Sequence, residues 1–186
     1  MAERFSEQMS LDECYFVPAA LSPFKTEMDS ADFASPEHRL KMVEIAIDEN
    51  PVFNTDDVEL KKGGISYSID TISYFTKEFP EAELFLLIGT DQAIGFKKWK
   101  AWQEILQCVQ LCIVHRPEIL KEKTDKDITT ELTTGLKKPE WIDAPLLQIS
   151  ATEIRTRIFK NESIRYIVPS KVEEYIFKNN LYRKNQ

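Results

Sequence analysis

Glycine is scarce in this chain of 186 residues, and the scarcity argues against two large classes of nucleotide enzyme. The five glycines stand at positions 63, 64, 89, 95 and 135, and none forms a GxGxxG turn or a Walker loop. Those loops need glycine so that backbone can approach phosphate closely. A dinucleotide oxidoreductase and a P-loop NTPase are therefore disfavoured. Cysteine is sparse too. Cys14, Cys108 and Cys112 cannot all pair with one another, and there is no CxxC. Reduced, mostly buried thiols in a cytosolic protein are the expectation. Histidine is limited to His38 and His115, too few for a histidine-rich metal centre. No apolar run reaches bilayer length and no signal-like segment opens the chain, so no membrane partner is expected. Positive charge is also in deficit. A net charge of −7 argues against a general nucleic-acid surface, although it leaves room for a local basic pocket.

What is present suits one soluble globular domain over residues 1–186. Apolar residues make up 42% and charged residues 30%, and the length can bury a proper core. Helical and extended patterns alternate along the chain. Met1–Met9 reads as a helix and Cys14–Ala19 as a strand stopped by Pro18. Ser35 and Pro36 open a helix with Leu40, Val43, Ala46 and Ile47 on its apolar face. Val52–Leu60 reads as extended, with a turn at Lys61–Gly64. Ser66 or Ser68 opens a helix striped by Ile69, Ile72, Phe75 and Phe79. Leu84–Ile88 has the look of a strand buried on both faces, ended by Gly89. Short helices span Gln92–Gln107, and Trp99 and Trp102 would share one helical face there. Val109–Val114 is the next strand, Glu118–Glu140 a polar excursion, and Leu146–Ile149 a last strand. Helices near Thr152–Phe159 and Pro169–Lys178 close the chain. Such alternation predicts an α/β fold, a Rossmann-like parallel sheet with helices on both faces. Ligands bind beyond the carboxyl ends of such strands. Pro18–Lys25, Gly89–Asp91 and Ser150–Arg155 are the loops that follow predicted strands.

The most informative of these is Gln148-Ile149-Ser150-Ala151-Thr152-Glu153-Ile154-Arg155, read as a buried strand end turning straight into a helix. A helix start offers free N–H groups and a positive dipole end, which suit an anion. Ser150 and Glu153 have the capping-box spacing, which leaves Thr152 and Arg155 for phosphate oxygens. A plain capped helix is the alternative. Asp91 could accept from sugar hydroxyls or cap the helix that follows it. Trp99 could stack on a flat ring or sit in the core, with Lys97, Lys98 and Lys100 favouring an anion nearby. His115-Arg116-Pro117 adds a further cation after its strand, and a lone histidine there is more often structural.

Taken in order, these fragments resemble the bacterial nicotinate-nucleotide adenylyltransferases of the nucleotidyltransferase superfamily. The resemblance runs through Tyr15-Phe16-Val17-Pro18-Ala19, Phe24-Lys25 and His38-Arg39-Leu40, then Gly63-Gly64-Ile65-Ser66-Tyr67-Ser68-Ile69-Asp70-Thr71 and Leu87-Ile88-Gly89-Thr90-Asp91 with Trp99. Arg116-Pro117, Ile149–Arg155 and Ile164-Arg165-Tyr166-Ile167-Val168-Pro169 complete it. It implies adenylyl transfer from ATP to nicotinate mononucleotide, with magnesium, giving deamido-NAD and pyrophosphate. By resemblance Ser150, Thr152, Arg155 and Lys25 hold ATP. Tyr67, Ser68, Asp91, Trp99 and Arg116 hold the mononucleotide, with Trp99 on the pyridine ring and Asp91 on ribose. Ser68 stands where the family usually has threonine, and Phe24 where many members have histidine.

One departure is large. The family's first strand and turn, GxFxPxHxGH, have no counterpart in the 186 residues, and neither His38 nor His115 lies in an HxxH arrangement. Loss of a central strand would leave ladder groups unpaired at about 1–3 kcal/mol each, against a total stability of about 5–15 kcal/mol. The expectation is an incomplete nucleotidyltransferase-like domain whose literal 186-residue form folds poorly and turns over negligibly. Two other readings stay open: a non-catalytic nucleotide-binding relative, and an adenylyltransferase for another acceptor such as phosphopantetheine. Oligomeric state is open as well.

Overall fold

The computed structural model describes residues 1–23, 34–115, 124–133, 135, 137–145 and 148–183. In chain order the elements begin with helix α1 (Ala2–Met9), strand β1 (Cys14–Phe16), α2 (Pro36–Ile47), β2 (Phe53–Thr55), α3 (Val58–Lys62) and α4 (Ser68–Glu78). Then come β3 (Leu84–Gly89), α5 (Thr90–Ile94), a 3-10 turn (Phe96–Lys98), α6 (Trp102–Cys108) and β4 (Val109–Val114). The chain continues with α7 (Asp125–Leu132), β5 (Glu140–Ile142), α8 (Ala151–Phe159) and α9 (Ser170–Lys178). The α/β class is as expected, and every ladder between named strands is parallel. They form two sheets, β1-β2 and β3-β4-β5, and the chain divides into two compact units.

The first unit comprises Met1–Asp12 and Ser66–Gln148. Its centre is β4, whose Val-Gln-Leu-Cys-Ile-Val run is buried at every position but Gln110. That is the two-faced burial the sequence suggested for β3, which is instead half-buried except at Ile88. Phe96, Ile105 and Ile113 have no exposed surface, and Leu111, Ile128 and Leu132 pack around them. Each such side chain contributes about 1.5–3 kcal/mol on burial. The register aligns Gly89 with Val114, and Val114 with Ile142. Thr90, His115 and Asp143 therefore leave the sheet at one carboxyl edge.

The second unit comprises Glu13–Ile65 and Ile149–Gln186. Here Phe16 pairs with Thr55 at the carboxyl end of the short ladder. Ser35 caps α2 by accepting from the His38 amide at 3.4 Å, with Pro36 in the first turn, as its sequence suggested. Ile158, Ile164, Val172, Ile176 and Leu181 form the core beneath α8 and α9. His38 Nδ1 lies 2.9 Å from the Tyr175 hydroxyl and joins α2 to α9.

Several expectations fail locally. The strand from Cys14 ends at Phe16, before Pro18. Val52–Leu60 is not one extended run. Asp56 Oδ1 accepts from the Val58 amide at 2.7 Å, turning the chain into α3, which a Lys61–Asp57 ion pair at 2.8 Å spans. By contrast Ser68 does open α4 as its first helical residue, with Tyr67 at the cap position without a side-chain bond. Trp99 and Trp102 do not share a helical face. Trp99 ends the 3-10 turn in an extended conformation, and Ala101 then adopts φ 54° before Trp102 opens α6. The polar excursion holds α7, with a capping box between Thr124 and Asp127, and β5. Gln148 and Ile149 are exposed and in no strand, whereas Leu146 and Leu147 lie outside the described residues.

Candidate active site

The second unit carries the anion-type site. Ser150 is the N-cap of α8, and its Oγ accepts from the Glu153 amide at 3.0 Å. The first-turn amides of Ala151 and Thr152 have no intrahelical acceptor, so the helix start keeps its positive end. Only half of the expected capping box forms, because Glu153 makes no return bond to the cap. Gln148 to Thr152 are exposed, so this is an open helix start and not the tail of a buried strand. Arg155 Nη2 donates to Thr152 Oγ1 at 3.0 Å, which gathers a guanidinium and a hydroxyl one turn into the helix. Arg155 is half-buried. Burial pushes the Tyr182 phenol up, and the Arg155 and Arg39 cations oppose that in part.

The loop after β1 belongs to the same unit. Arg39 donates from Nη1 to the Ala19 carbonyl at 2.7 Å and from Nη2 to the Ala20 carbonyl at 3.3 Å. Helix α2 thereby holds the loop that leads toward Lys25. Phe24 and Lys25 lie outside the described residues.

The first unit gathers the ring-type residues. Tyr67 caps α4 and Ser68 begins it, so both stand at a positive helix end. Trp99 packs on Phe96, centroids 4.9 Å apart, and stays half-buried. The Lys100 ammonium lies 4.4 Å from the Tyr67 ring centroid and 4.0 Å from Asp70 Oδ1. The residue after Trp99 thus reaches the start of α4, where Tyr67 and Ser68 stand. Lys97 is turned elsewhere, 3.8 Å from Glu131. Asp91 is not a helix cap, since Gly89 holds that position for α5. Its Oδ1 is buried, and its Oδ2 accepts from Gln92 Nε2 at 3.3 Å.

His115 stacks on Trp141 with centroids 4.7 Å apart, and its Nε2 is 3.3 Å from Asp125 Oδ2. Its Nδ1 is buried without a hydrogen-bond partner among the described residues. These contacts fit the structural reading of that histidine. Arg116 and Pro117 lie outside the described residues. Sequence reading grouped Lys100 with Lys97 and Lys98 as cations favouring an anion and did not single it out. Arg39 was visible only as part of a fragment.

Among the described residues no group of three or more His, Cys, Asp or Glu side chains could hold a metal ion. No helix among them is long and apolar enough to cross a membrane. Chemically, the helix start with Thr152 and Arg155 can bind phosphate, and the corner of Tyr67, Ser68 and Trp99 can receive a flat ring.

Comparison with known proteins places the chain in a family. The profile of the cytidylyltransferase-like family matches residues 1–157. A probable nicotinate-nucleotide adenylyltransferase of Lactococcus lactis is 33% identical over 184 residues, 99% of this chain and 87% of the relative. Its counterpart in Opitutus terrae is 38% identical over 181 residues, 97% of this chain and 87% of the relative. Among solved structures, the Plasmodium falciparum nicotinic acid mononucleotide adenylyltransferase complexed with NaAD superposes with a TM-score of 0.71. It is 20% identical, and the match covers 96% of this chain and 90% of that one. At that identity the likeness shows the fold.

Proposed function

The chain belongs to the cytidylyltransferase-like family and, within it, to the nicotinate-nucleotide adenylyltransferases, and from that premise we infer how its residues divide the work. The reaction is adenylyl transfer from ATP to nicotinate mononucleotide, which yields deamido-NAD and pyrophosphate in NAD biosynthesis. The observation that carries this is the match to relatives over nearly the whole chain. A phosphate oxygen of the mononucleotide attacks the α-phosphorus of ATP. A new P–O bond forms, the bond to the bridging oxygen breaks, and its electron pair leaves with pyrophosphate. No covalent enzyme intermediate is required. Catalysis is then positioning together with stabilisation of phosphate charge.

Ser150, Thr152 and Arg155 are assigned to ATP, supported by the open start of α8 and the Arg155–Thr152 pair. Lys25 is assigned to the same ligand. Tyr67, Ser68 and Trp99 are assigned to the pyridine ring, Asp91 to ribose, and Arg116 to the mononucleotide phosphate side. The buried Asp91 Oδ1 suits a sugar hydroxyl, which can donate to it. Magnesium is assigned to the ATP phosphates. One nucleotidyltransferase-like domain over residues 1–186, working in the cytosol, completes the reading.

The test uses the protein isolated from its native source, ATP, magnesium and a panel of acceptors. Nicotinate mononucleotide should be converted to deamido-NAD in preference to its amide counterpart and to phosphopantetheine. A preference for phosphopantetheine would reassign the substrate. Binding of nucleotides without turnover would favour a non-catalytic relative.

A further inference from the structure

We propose that Lys100 is the residue by which this protein distinguishes an acidic pyridine ring from its amide; the proposal rests on the function inferred above. Three observations converge on its ammonium group. Lys100 follows Trp99 directly, and its Nζ lies 4.4 Å from the Tyr67 ring centroid. It therefore joins the two aromatic residues assigned to the ring. Its local backbone is also constrained. Trp99 is extended on top of the fully buried Phe96, and Ala101 sits at φ 54°, in the left-handed region that disfavours a non-glycine residue. A chain held between those two anchors has little freedom to withdraw the lysine.

Charge supplies the third observation. The protein carries a net charge of −7, yet this corner combines an ammonium with the positive end of α4 and the Ser68 hydroxyl. Asp70 approaches Lys100 only to 4.0 Å, and both side chains are substantially exposed. Exposed ion pairs of that kind are weak. An ammonium has three donors, so a second carboxylate can be accommodated beside Asp70. Lys97 is directed to Glu131 and to the Trp102 ring, 5.9 Å from its centroid, so Lys100 is the neighbouring lysine that reaches Tyr67. A pyridine carboxylate stacked near Trp99 would gain a charge-assisted hydrogen bond from Lys100. The amide, which is neutral, would gain none of that attraction.

The experiment measures kcat and KM for nicotinate mononucleotide, nicotinamide mononucleotide and ATP in the wild type, Lys100→Met and Lys100→Arg. Ligand binding is followed in parallel through tryptophan fluorescence. Methionine keeps most of the stem and removes the charge. KM for the acid should rise about threefold to fivefold in Lys100→Met, as expected for one partly exposed ionic contact. KM for the amide and for ATP should stay within about twofold, and Lys100→Arg should retain the acid preference. In the wild type the preference should shrink as salt is raised, because screening weakens an exposed charge contact. Both acceptors carry the ribose phosphate, so their ratio isolates the ring substituent. An unchanged acid-to-amide ratio in Lys100→Met would overturn the assignment while leaving the function intact. Wild-type protein that neither binds nor converts either mononucleotide would overturn both.

Discussion

Trp99 and Cys112 illustrate how one residue's surroundings decide its use. A tryptophan near a helix usually belongs to the core, yet Trp99 is half-buried, at the end of a 3-10 turn with one neighbour ring beneath it. A face left for stacking is worth about 1–3 kcal/mol per ring. Trp99→Ala should accordingly raise KM for the mononucleotide at least tenfold and leave KM for ATP nearly unchanged, with Trp99→Phe intermediate. Steady-state kinetics with each substrate varied in turn would check this. Cys112 presents the opposite case. It is fully buried, and burial pushes its thiol up to about 12 from the usual 9.0. Below pH 9 both folded and unfolded thiols keep their proton, so its contribution is complete. Between about pH 9 and 12 the unfolded thiol ionises while the folded one does not, and stability is lost. Urea midpoints measured from pH 8 to 11 should fall with rising pH, and less steeply in Cys112→Ala. Cys108 is exposed, against the expectation of mostly buried thiols. A thiol reagent at neutral pH should label Cys108 and spare Cys112 until the protein unfolds.

At the scale of elements, local chemistry explains what could be read from the chain. Ser35-Pro36 and Ser150 announced α2 and α8 because a cap is a short-range device that needs no tertiary partner. Ser150→Ala should cost about 1 kcal/mol of helix stability and raise KM for ATP, since it frays the helix start that carries Thr152 and Arg155. Thermal melts and kinetics together would test that, and an unchanged KM would detach the cap from ATP binding. Other elements were hidden for physical reasons. The turn into α3 depends on the Asp56 side chain accepting from the Val58 amide, in competition with an extended reading of apolar Val52, Phe53 and Val58. The break between Trp99 and Trp102 depends on Ala101 at positive φ, for which alanine gives no warning. Helix α7 was legible in principle, since Thr124 and Asp127 have capping-box spacing with aspartate in place of glutamate. The strand β5 was drowned by the polar residues around it. Of the candidate site, the helix start that groups Ser150, Thr152 and Arg155 could be read from its cap and spacing. The Lys100 contact with Tyr67 could not, because it joins elements far apart in sequence.

For the whole molecule, the parallel class and the family were legible, while the number of sheets was not. β3 pairs with β4 alone among the described residues, although its Leu-Phe-Leu-Leu-Ile run is apolar throughout. Apolar edge strands invite pairing with another chain. The 186-residue chain, prepared alone, should therefore associate as its concentration rises, and light scattering should report masses above the 21.6 kDa monomer. A monomer with a cooperative melt at high concentration would contradict this. Direct adenylyl transfer is the central claim, and a label in the α-phosphate of ATP tests it most directly. The native protein, magnesium, labelled ATP and nicotinate mononucleotide are mixed, and product, pyrophosphate and protein are separated under denaturing conditions. The account predicts label in deamido-NAD, unlabelled pyrophosphate and none on the protein. Label retained on the protein, or no labelled dinucleotide from folded protein, would contradict it.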